Sequence, residues 1–271
     1  LLGSALKIKR KNDKHQSAAI FAHFRGVELR AGEDAGNISI YNFQHGWCWL
    51  IPLKDGVMSV GAVCFPEYLK TRRGRNEEFL IQTLKLMPDL WSRMTDAERI
   101  SEVRVTGNYS YSCERMSGPG WIMVGDAFAF VDPVFSSGVY LAMHSGRKAA
   151  ALVDAALADP SREAALQADF AARIRRGIRV FSWFIYRFNS PVMRGLFAAP
   201  RNIWRVEDGV ISMLAGDVFD SAPVLRRLVF FKAIYAIGGL LQLPRFLADI
   251  GNRRRQARYA FSGGNTPVDP A

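Results

Sequence analysis

The chain has 271 residues, of which 49% are hydrophobic and 23% are charged, and it carries a formal net charge of +11. This is the composition of a globular protein, and the length allows one large domain or two smaller ones. The sequence contains neither a signal peptide nor an uninterrupted apolar run of about 18 residues, so it predicts no membrane-spanning helix.

The positive charge is concentrated in the C-terminal part of the chain. From Ser161 onward there are 17 Lys and Arg against 8 Asp and Glu, which leaves +9. Such a region suits an acidic partner, a nucleic acid or a membrane surface, and it is equally compatible with a solvated basic face. Nucleic-acid binding is not expected, because no recognised nucleic-acid-binding fold accompanies the charge.

The three cysteines, Cys48, Cys64 and Cys113, are far apart in the sequence and form no Cys-x-x-Cys pair. This spacing favours reduced thiols over a disulfide framework or a zinc site. We therefore expect a cytoplasmic protein without a bound metal.

The first half of the chain predicts an antiparallel sheet with one helix. Residues 37–65 contain three alternating runs, and the Lys54-Asp55-Gly56 segment before the third is typical of a hairpin turn. Residues 76–94 have helical spacing with a break near Pro88. Residues 100–113 alternate again and predict one further strand.

The second half predicts a buried strand followed by helices. The run "WIMV", residues 121–124, is continuously apolar, as expected for a parallel strand buried on both faces. A helix should run from Ser137 to Asp159. The face that would pack against a sheet carries the small and apolar residues Val139, Ala142, Met143, Gly146, Ala150 and Val153. Residues 162–235 are mostly helical in pattern, with breaks near Pro191 and Pro200.

Together these elements predict a mixed α/β (α+β) fold with four regions. Residues 1–116 would form an antiparallel sheet with one helix, and residues 117–160 a strand–loop–helix unit. Residues 161–252 would form a helical region, and residues 253–271 a basic, flexible tail.

The run "GWCWLIPL", residues 46–53, combines two tryptophans on one strand face. Period-two alternation puts Trp47, Trp49 and Ile51 on the same side, with successive side chains about 7 Å apart. Such a strand would present a flat aromatic wall, or it would simply contribute ordinary sheet core.

The run "GDAFAFVDPVFSSG", residues 125–138, combines a hydroxyl acceptor with an anion site. Gly125 permits a sharp turn after the strand, and the carboxylate of Asp126 could accept hydrogen bonds from ligand hydroxyls. Pro133 stiffens the loop, and Ser136 or Ser137 could cap the next helix, whose first N–H groups attract anions. A flavin fits this order of groups. The alternative is a purely structural tight turn, followed by a helix that a serine caps.

These two motifs resemble those of the FAD-dependent monooxygenase and halogenase superfamily, and the tryptophan-halogenase-like proteins in particular. The resemblance implies a flavin contact through the residues of the Gly-Asp and Asp-Pro…Ser-Gly segments, namely Gly125, Asp126, Asp132, Pro133, Ser136, Ser137, Gly138 and Val139. It also implies a chloride or bromide site at Ser137 and Gly138. The Trp-x-Trp-x-Ile-Pro strand would form a wall near the flavin and the substrate, made by Trp47, Trp49, Ile51 and Pro52.

Two features of the family are missing from this sequence. It has no G-x-G-x-x-G turn, which holds the FAD pyrophosphate in family members, and no lysine in the context of the catalytic lysine of halogenases. We therefore expect the C-terminal part of a longer protein, inactive by itself.

Three functions remain open at this point. The first is halogenation of an aromatic or carrier-bound substrate through a flavin hydroperoxide and hypohalous acid, with reduced FAD supplied by a flavin reductase. The second is a related FAD-dependent monooxygenase, dehydrogenase or reductase. The third is a non-catalytic module that binds a lipid surface or an acidic carrier protein through its arginines, of which the sequence offers Arg173, Arg175, Arg176 and Arg179.

Several conspicuous side chains are predicted to serve packing. His144 lies within the helix after the flavin-like loop, and His45 precedes the tryptophan strand. The aromatic residues Phe181, Trp183, Phe184 and Phe188 recur at helical spacing, which is typical of a helix interface.

Overall fold

The computed structural model describes residues 1–12, 17–107 and 110–259, with side chains described up to residue 241. The strands are β1 (Lys9–Lys11), β2 (Ala18–Arg25), β3 (Ser39–Phe43), β4 (Gly46–Pro52), β5 (Met58–Cys64), β6 (Glu98–Arg99), β7 (Arg104–Gly107), β8 (Tyr111–Cys113), β9 (Ser117–Gly118), β10 (Trp121–Ile122) and β11 (Ala129–Phe130). The helices are α1 (Leu2–Ala5), α2 (Pro66–Leu69), α3 (Asn76–Lys85), α4 (Pro88–Ser92), α5 (Gly138–Ala158), α6 (Glu163–Ile185), α7 (Pro191–Ala198), α8 (Val206–Leu214) and α9 (Ala222–Tyr259).

The described residues form two compact units that are discontinuous in sequence. Among the described residues, one unit draws on residues 1–12 and 110–243, and the other on residues 17–107 and 244–259. We call them the loop unit and the sheet unit.

The sheet unit is built on an antiparallel sheet in the order β3-β4-β5-β2, with β6 and β7 both paired to the outer edge of β2. The predicted meander over 37–65 is confirmed, and its β4–β5 hairpin turns through Asp55 and Gly56, both with positive φ. One face of the sheet packs on α3, whose Phe79, Leu80 and Leu84 are fully buried. The side chains on this face form the core of the unit. Burial of each one contributes about 1.5–3 kcal/mol to stability.

The predicted single strand over 100–113 is wrong. Of its described residues, Arg104–Gly107 form β7, which pairs with β2 in the sheet unit, whereas Tyr111–Cys113 form β8, which pairs with β1 and β11 in the loop unit. The two parts pair with different strands in different sheets, and alternation along the sequence does not show which partner each part will take.

The predicted parallel strand at 121–124 is also wrong. Trp121 and Ile122 form β10, which pairs antiparallel with β9, and the described strand pairs are all antiparallel. Gly120 turns the chain with φ +73°, and the Trp121 indole covers Gly118. This tight turn supplies a local partner, whereas a parallel strand needs a long crossover connection.

The helices of the loop unit agree with the sequence pattern. The predicted helix over 137–159 is confirmed as α5, and the breaks near Pro191 and Pro200 separate α6, α7 and α8. Ser190 caps α7, because its Oγ accepts a hydrogen bond from the Met193 N–H at 3.2 Å. The predicted flexible tail overlaps the last turns of α9 up to Tyr259, and the remaining tail residues lie outside the described ones.

The buried face of α5 differs from the predicted one. The helix packs against α6 and the loop before it through Ser145, Ala149 and Leu152, which are buried. Val139 and Met143, on the face predicted to meet a sheet, are each 72% exposed. Helix α5 is apolar on more than one face, so periodicity alone did not identify the face covered by α6.

None of the described helices combines the length and the apolar content that crossing a membrane requires.

Candidate functional site

The turn after β10 depends on glycine at position 125. Gly125 has φ +49°, and a Cβ there would lie 2.8 Å from the Cβ of Ala142 on α5. Its N–H donates to the Oγ of Ser145 at 3.0 Å, and that hydroxyl donates to the Leu141 carbonyl at 2.6 Å. The loop is therefore held against α5 by one hydrogen bond and by a contact that only glycine permits.

Asp126 follows directly, with its backbone fixed and its side chain exposed. The hydroxyl of Tyr111 on β8 donates to the Asp126 carbonyl at 2.5 Å. The pKa of Tyr111 is raised, first by burial and then by the charge of Asp126. The neighbouring carboxylate faces solvent, where it can accept hydrogen bonds from a ligand.

The Asp-Pro segment forms a rigid turn. Asp132 is only 3% exposed, and its Oδ1 accepts a hydrogen bond from the Val134 N–H at 3.2 Å. Pro133 begins a single 3₁₀ turn that ends at Ser136. Ser136 has φ +51°, an uncommon conformation for a residue other than glycine, and this residue redirects the chain into α5.

The beginning of α5 lies at the end of this turn. Ser137 precedes the helix, and its carbonyl accepts the first helical bond, from the Leu141 N–H at 3.0 Å. Its side chain makes no capping bond, so the predicted serine cap is wrong: the residue already has helical φ and ψ, which turn its Oγ away from the first N–H groups. Gly138 and Val139 are exposed, and the first N–H groups of a helix have no acceptor within the helix.

The loop therefore has an exposed side that can receive a ligand. Of the residues predicted to contact a cofactor, those exposed to solvent are Asp126, Pro133, Ser136, Gly138 and Val139. The cavity between this loop and α6, lined by Asp126, Pro133 and Gly138 among others, measures only about 70 Å³, far below the size of a small-molecule site. A flavin-sized group would therefore need the solvent-exposed part of the loop, where Asp126, Gly138 and Val139 lie.

The tryptophan strand β4 lies in the sheet unit. Cys48 and Leu50 point into the core, whereas Trp47 and Trp49 share the opposite face with ring centroids 5.6 Å apart. Trp49 lies over Gly61 of β5 and donates from Nε1 to the Ser59 Oγ at 3.2 Å. The predicted alternation is confirmed, with Ile51 and Pro52 half-buried at the end of the same strand.

The two histidines singled out in the sequence are packing residues. His45 is 7% exposed and stacks on Tyr68 at 4.6 Å. His144 stacks on Phe219 at 3.9 Å, and its pKa is lowered, mainly by burial and further by Lys148 and Arg147. The predicted aromatic helix interface is confirmed as well, since Phe181 and Phe184 of α6 are buried.

Sequence reasoning missed the residues that hold the loop in place. Ser145 lies inside a helix and Tyr111 lies 15 residues before its partner, so no local spacing links either to the loop. Tyr140, whose hydroxyl donates to the Gly216 carbonyl at 2.7 Å, anchors the first turn of α5 to the segment after α8. Among the described residues, no cluster of three His, Cys, Asp or Glu side chains is placed to hold a metal.

Several proteins named as halogenases or a chlorinase are similar to this chain. Tryptophan 2-halogenase of Chondromyces crocatus is 37% identical over 146 residues, 53% of this chain and 28% of its own length. Flavin-dependent halogenase gsfI of Penicillium aethiopicum is 30% identical over 82% of this chain and 42% of its own length. The 1H-pyrrole-2-carbonyl-[peptidyl-carrier protein] chlorinase of Pseudomonas fluorescens is 28% identical over 81% of this chain and 50% of its own length. The chain therefore spans half or less of the length of these relatives.

Two solved structures share the fold. Flavin-dependent brominase Bmp2 has a TM-score of 0.65 and 27% identity, covering 83% of this chain and 57% of the brominase chain. A flavoprotein/dehydrogenase from Cytophaga hutchinsonii has a TM-score of 0.75 with 24% identity, over 89% of this chain and 59% of its own, which shows likeness of fold alone.

A family model described as tryptophan halogenase matches residues 36–191. That span includes both the tryptophan strand and the whole loop from Gly125 to Val139. Because the match covers more than half of the chain, the chain belongs to the tryptophan halogenase family.

Proposed function

We propose that the protein containing this chain is an FAD-dependent halogenase, and that the loop from Gly125 to Val139 holds the flavin. The observation that carries the proposal is the geometry of this loop: an exposed carboxylate at Asp126 lies at one end and the exposed N-terminus of α5 at the other. Membership of the family and the halogenase activity named for the relatives support the same assignment.

The residues present fit a flavin. The Asp126 carboxylate can accept hydrogen bonds from ribityl hydroxyls, and its backbone is held by Tyr111 so that it need not reorganise on binding. The pyrimidine edge of the ring is rich in acceptors and gains negative charge on reduction. The N–H groups at Gly138 and Val139, with the positive end of the helix dipole, suit that edge.

When bound, reduced FAD would supply the oxidising chemistry by activating oxygen toward a halide. The chain's own part is to bind and orient. The N–H groups at Ser137 and Gly138 can also hold chloride or bromide, because such an anion needs only N–H donors and a positive helix end. The wall formed by Trp47 and Trp49 would bound the substrate side and exclude water.

Two partners follow from this proposal. A flavin reductase would deliver the reduced FAD. The substrate would be a small aromatic compound, free or carried on an acidic carrier protein, since one relative is named for a carrier-bound pyrrole. The arginines of α6 would offer such a carrier an attractive surface.

The test is halide-dependent product formation by the protein containing this chain at its natural length. The protein is incubated with FAD, a flavin reductase, NADH, oxygen and bromide, and with phenols, indoles and a carrier-bound pyrrole as substrates. Mass spectrometry should show the bromine isotope doublet only when bromide is present. Hydroxylated products that form equally well without halide, or no halogenated product from any of these substrates, would contradict the proposal.

A further inference from the structure

A second cavity of about 560 Å³ lies in the loop unit, on the other side of the strand that follows Asp126. Its walls are the three-stranded sheet β1-β8-β11 and one face of α6. We call it the basic groove and define it by Lys11, Ser112, Arg175, Arg179, Ser182 and Tyr186. Its volume is within the range of small-molecule sites.

The charge of the groove is of one sign. Lys11, Arg175 and Arg179 line it, and none of the described residues that line it is Asp or Glu. Arg175 and Arg179 are four residues apart on α6 and so point to the same side of that helix. Three cations in the same concavity favour an anionic ligand.

The cation at Arg175 is held in position. Its Nη2 donates to the Glu114 carbonyl at 2.5 Å, and its guanidinium lies 4.9 Å from the Phe128 ring centroid. Neither contact neutralises its charge. By contrast Arg173, on the same helix, forms ion pairs with Asp169 and Asp220 and does not line the groove.

Hydroxyl and amide groups complete the walls. Ser112 and Ser182 contribute hydroxyls, and the Asn12 amide donates to the Tyr186 hydroxyl at 2.6 Å. A phosphate, with three or more acceptor oxygens, can accept hydrogen bonds from guanidinium, ammonium and hydroxyl donors at the same time. The donor set of the groove therefore suits a phosphate.

The groove and the proposed flavin loop share a wall. Residues 128–131 line the basic groove on one side and the small cavity of the loop on the other. A ligand whose phosphate lies between Lys11 and Arg179 is therefore bound one strand away from the loop that begins at Gly125.

We propose that the basic groove binds the phosphate of a phosphate ester. The proposal goes beyond the halogenase function and does not depend on it, because it rests on the charge and the donors of the groove. Two sources share this chemistry: the phosphates of a nucleotide, and the phosphate of a phosphopantetheine arm.

The test is calorimetric titration of the chain with inorganic pyrophosphate at low ionic strength. Arg179→Gln and Lys11→Gln should each weaken binding about tenfold, because each removes a charge-assisted hydrogen bond. Arg176→Gln makes the same charge change on an exposed residue of α6 outside the groove, and its affinity should stay within about twofold of the parent. Circular dichroism of all three variants confirms that the fold is retained.

If all three variants weaken pyrophosphate binding equally, the binding responds only to net charge and the proposal is overturned. Unchanged pyrophosphate affinity in Arg179→Gln and Lys11→Gln would overturn it as well. Two further titrations, with ADP and with 4′-phosphopantetheine, identify the source by which of them pyrophosphate displaces. If pyrophosphate displaces neither, the groove is no phosphate-ester site. All of these experiments measure binding and none measures turnover. A negative halogenation assay therefore leaves the groove proposal standing, and absence of phosphate binding leaves the halogenase proposal standing.

Discussion

At the scale of single residues, two side chains from outside the loop hold it in place: Ser145 accepts a hydrogen bond from the Gly125 N–H, and Tyr111 donates one to the Asp126 carbonyl. The Gly-Asp and Asp-Pro…Ser-Gly segments are contiguous motifs, so they could be found by reading along the chain. Ser145 and Tyr111 reach Gly125 and Asp126 only because the tertiary fold brings them there. No sequence pattern around a serine inside a helix predicts that it will bind a distant loop. Asp132 was predicted as a cofactor contact, and the structure gives its carboxylate a turn-stabilising bond to Val134.

Replacing Gly125 should destabilise the fold, whereas replacing Gly138 should not. Gly125→Ala places a Cβ 2.8 Å from Ala142 in a backbone with positive φ, and we expect a loss of about 2 kcal/mol in the free energy of unfolding. Gly138→Ala is the matched control, because a Cβ at that position would meet no described neighbour within 4 Å and the backbone there is helical. Urea unfolding of both variants measures the difference. Equal stability of the two variants would mean that the turn at Gly125 tolerates a side chain.

At the scale of elements, hydrophobic periodicity predicted which helices and strands are present better than it predicted which strands pair with each other. The meander, the break at Pro88 and helices α5 to α8 could be predicted because each carries its own caps, breakers or hydrophobic period. The pairing of 100–113 and of 121–124 could not, because it depends on which strands the rest of the chain supplies. The buried face of α5 was missed for the same reason, because it is the face against which α6 packs.

The packing of β4 on β5 requires a glycine opposite Trp49. A Cβ at Gly61 would overlap the Trp49 indole and come within 2.5 Å of the Phe21 Cβ. We expect Gly61→Ala to cost about 1–3 kcal/mol and to displace the indole, which would break its hydrogen bond to Ser59. Thermal unfolding gives the first effect, and the chemical shift of the Trp49 indole N–H gives the second. An unshifted indole resonance in a fully stable variant would show that the sheet has room at this position.

The contact of α5 with Phe219 should make stability depend on pH. The pKa of His144 is lowered in the folded state by burial, Lys148 and Arg147, so between that value and about 6.5 the unfolded chain binds more protons than the folded one. Stability should therefore fall as the pH falls from about 7.5 to about 5.5. His144→Phe keeps a ring against Phe219 without a titrating group, so its unfolding free energy should fall less over the same range. A parallel fall in both proteins would assign the pH dependence to other groups.

At the scale of the whole molecule, the division into two units was not visible in the sequence. Each unit combines segments that are far apart in the chain. No local sequence pattern indicates that β1, near the start of the chain, pairs with β8. The family, in contrast, could be predicted, because its two motifs are short, specific and contiguous. What the sequence alone left open was whether the loop is merely a capped turn. Its exposed carboxylate, fixed backbone and accessible helix N-terminus argue for a ligand.

The most direct test of the proposed flavin loop is an equilibrium titration with FAD of the protein containing this chain at its natural length, followed by flavin fluorescence. Asp126→Ala should weaken FAD binding about tenfold or more, since it removes a charged hydrogen-bond acceptor, while Asp89→Ala, an exposed aspartate on α4, should leave the affinity unchanged. Unaltered FAD affinity in a correctly folded Asp126→Ala protein would contradict the assignment of the loop from Gly125 to Val139 as the flavin site.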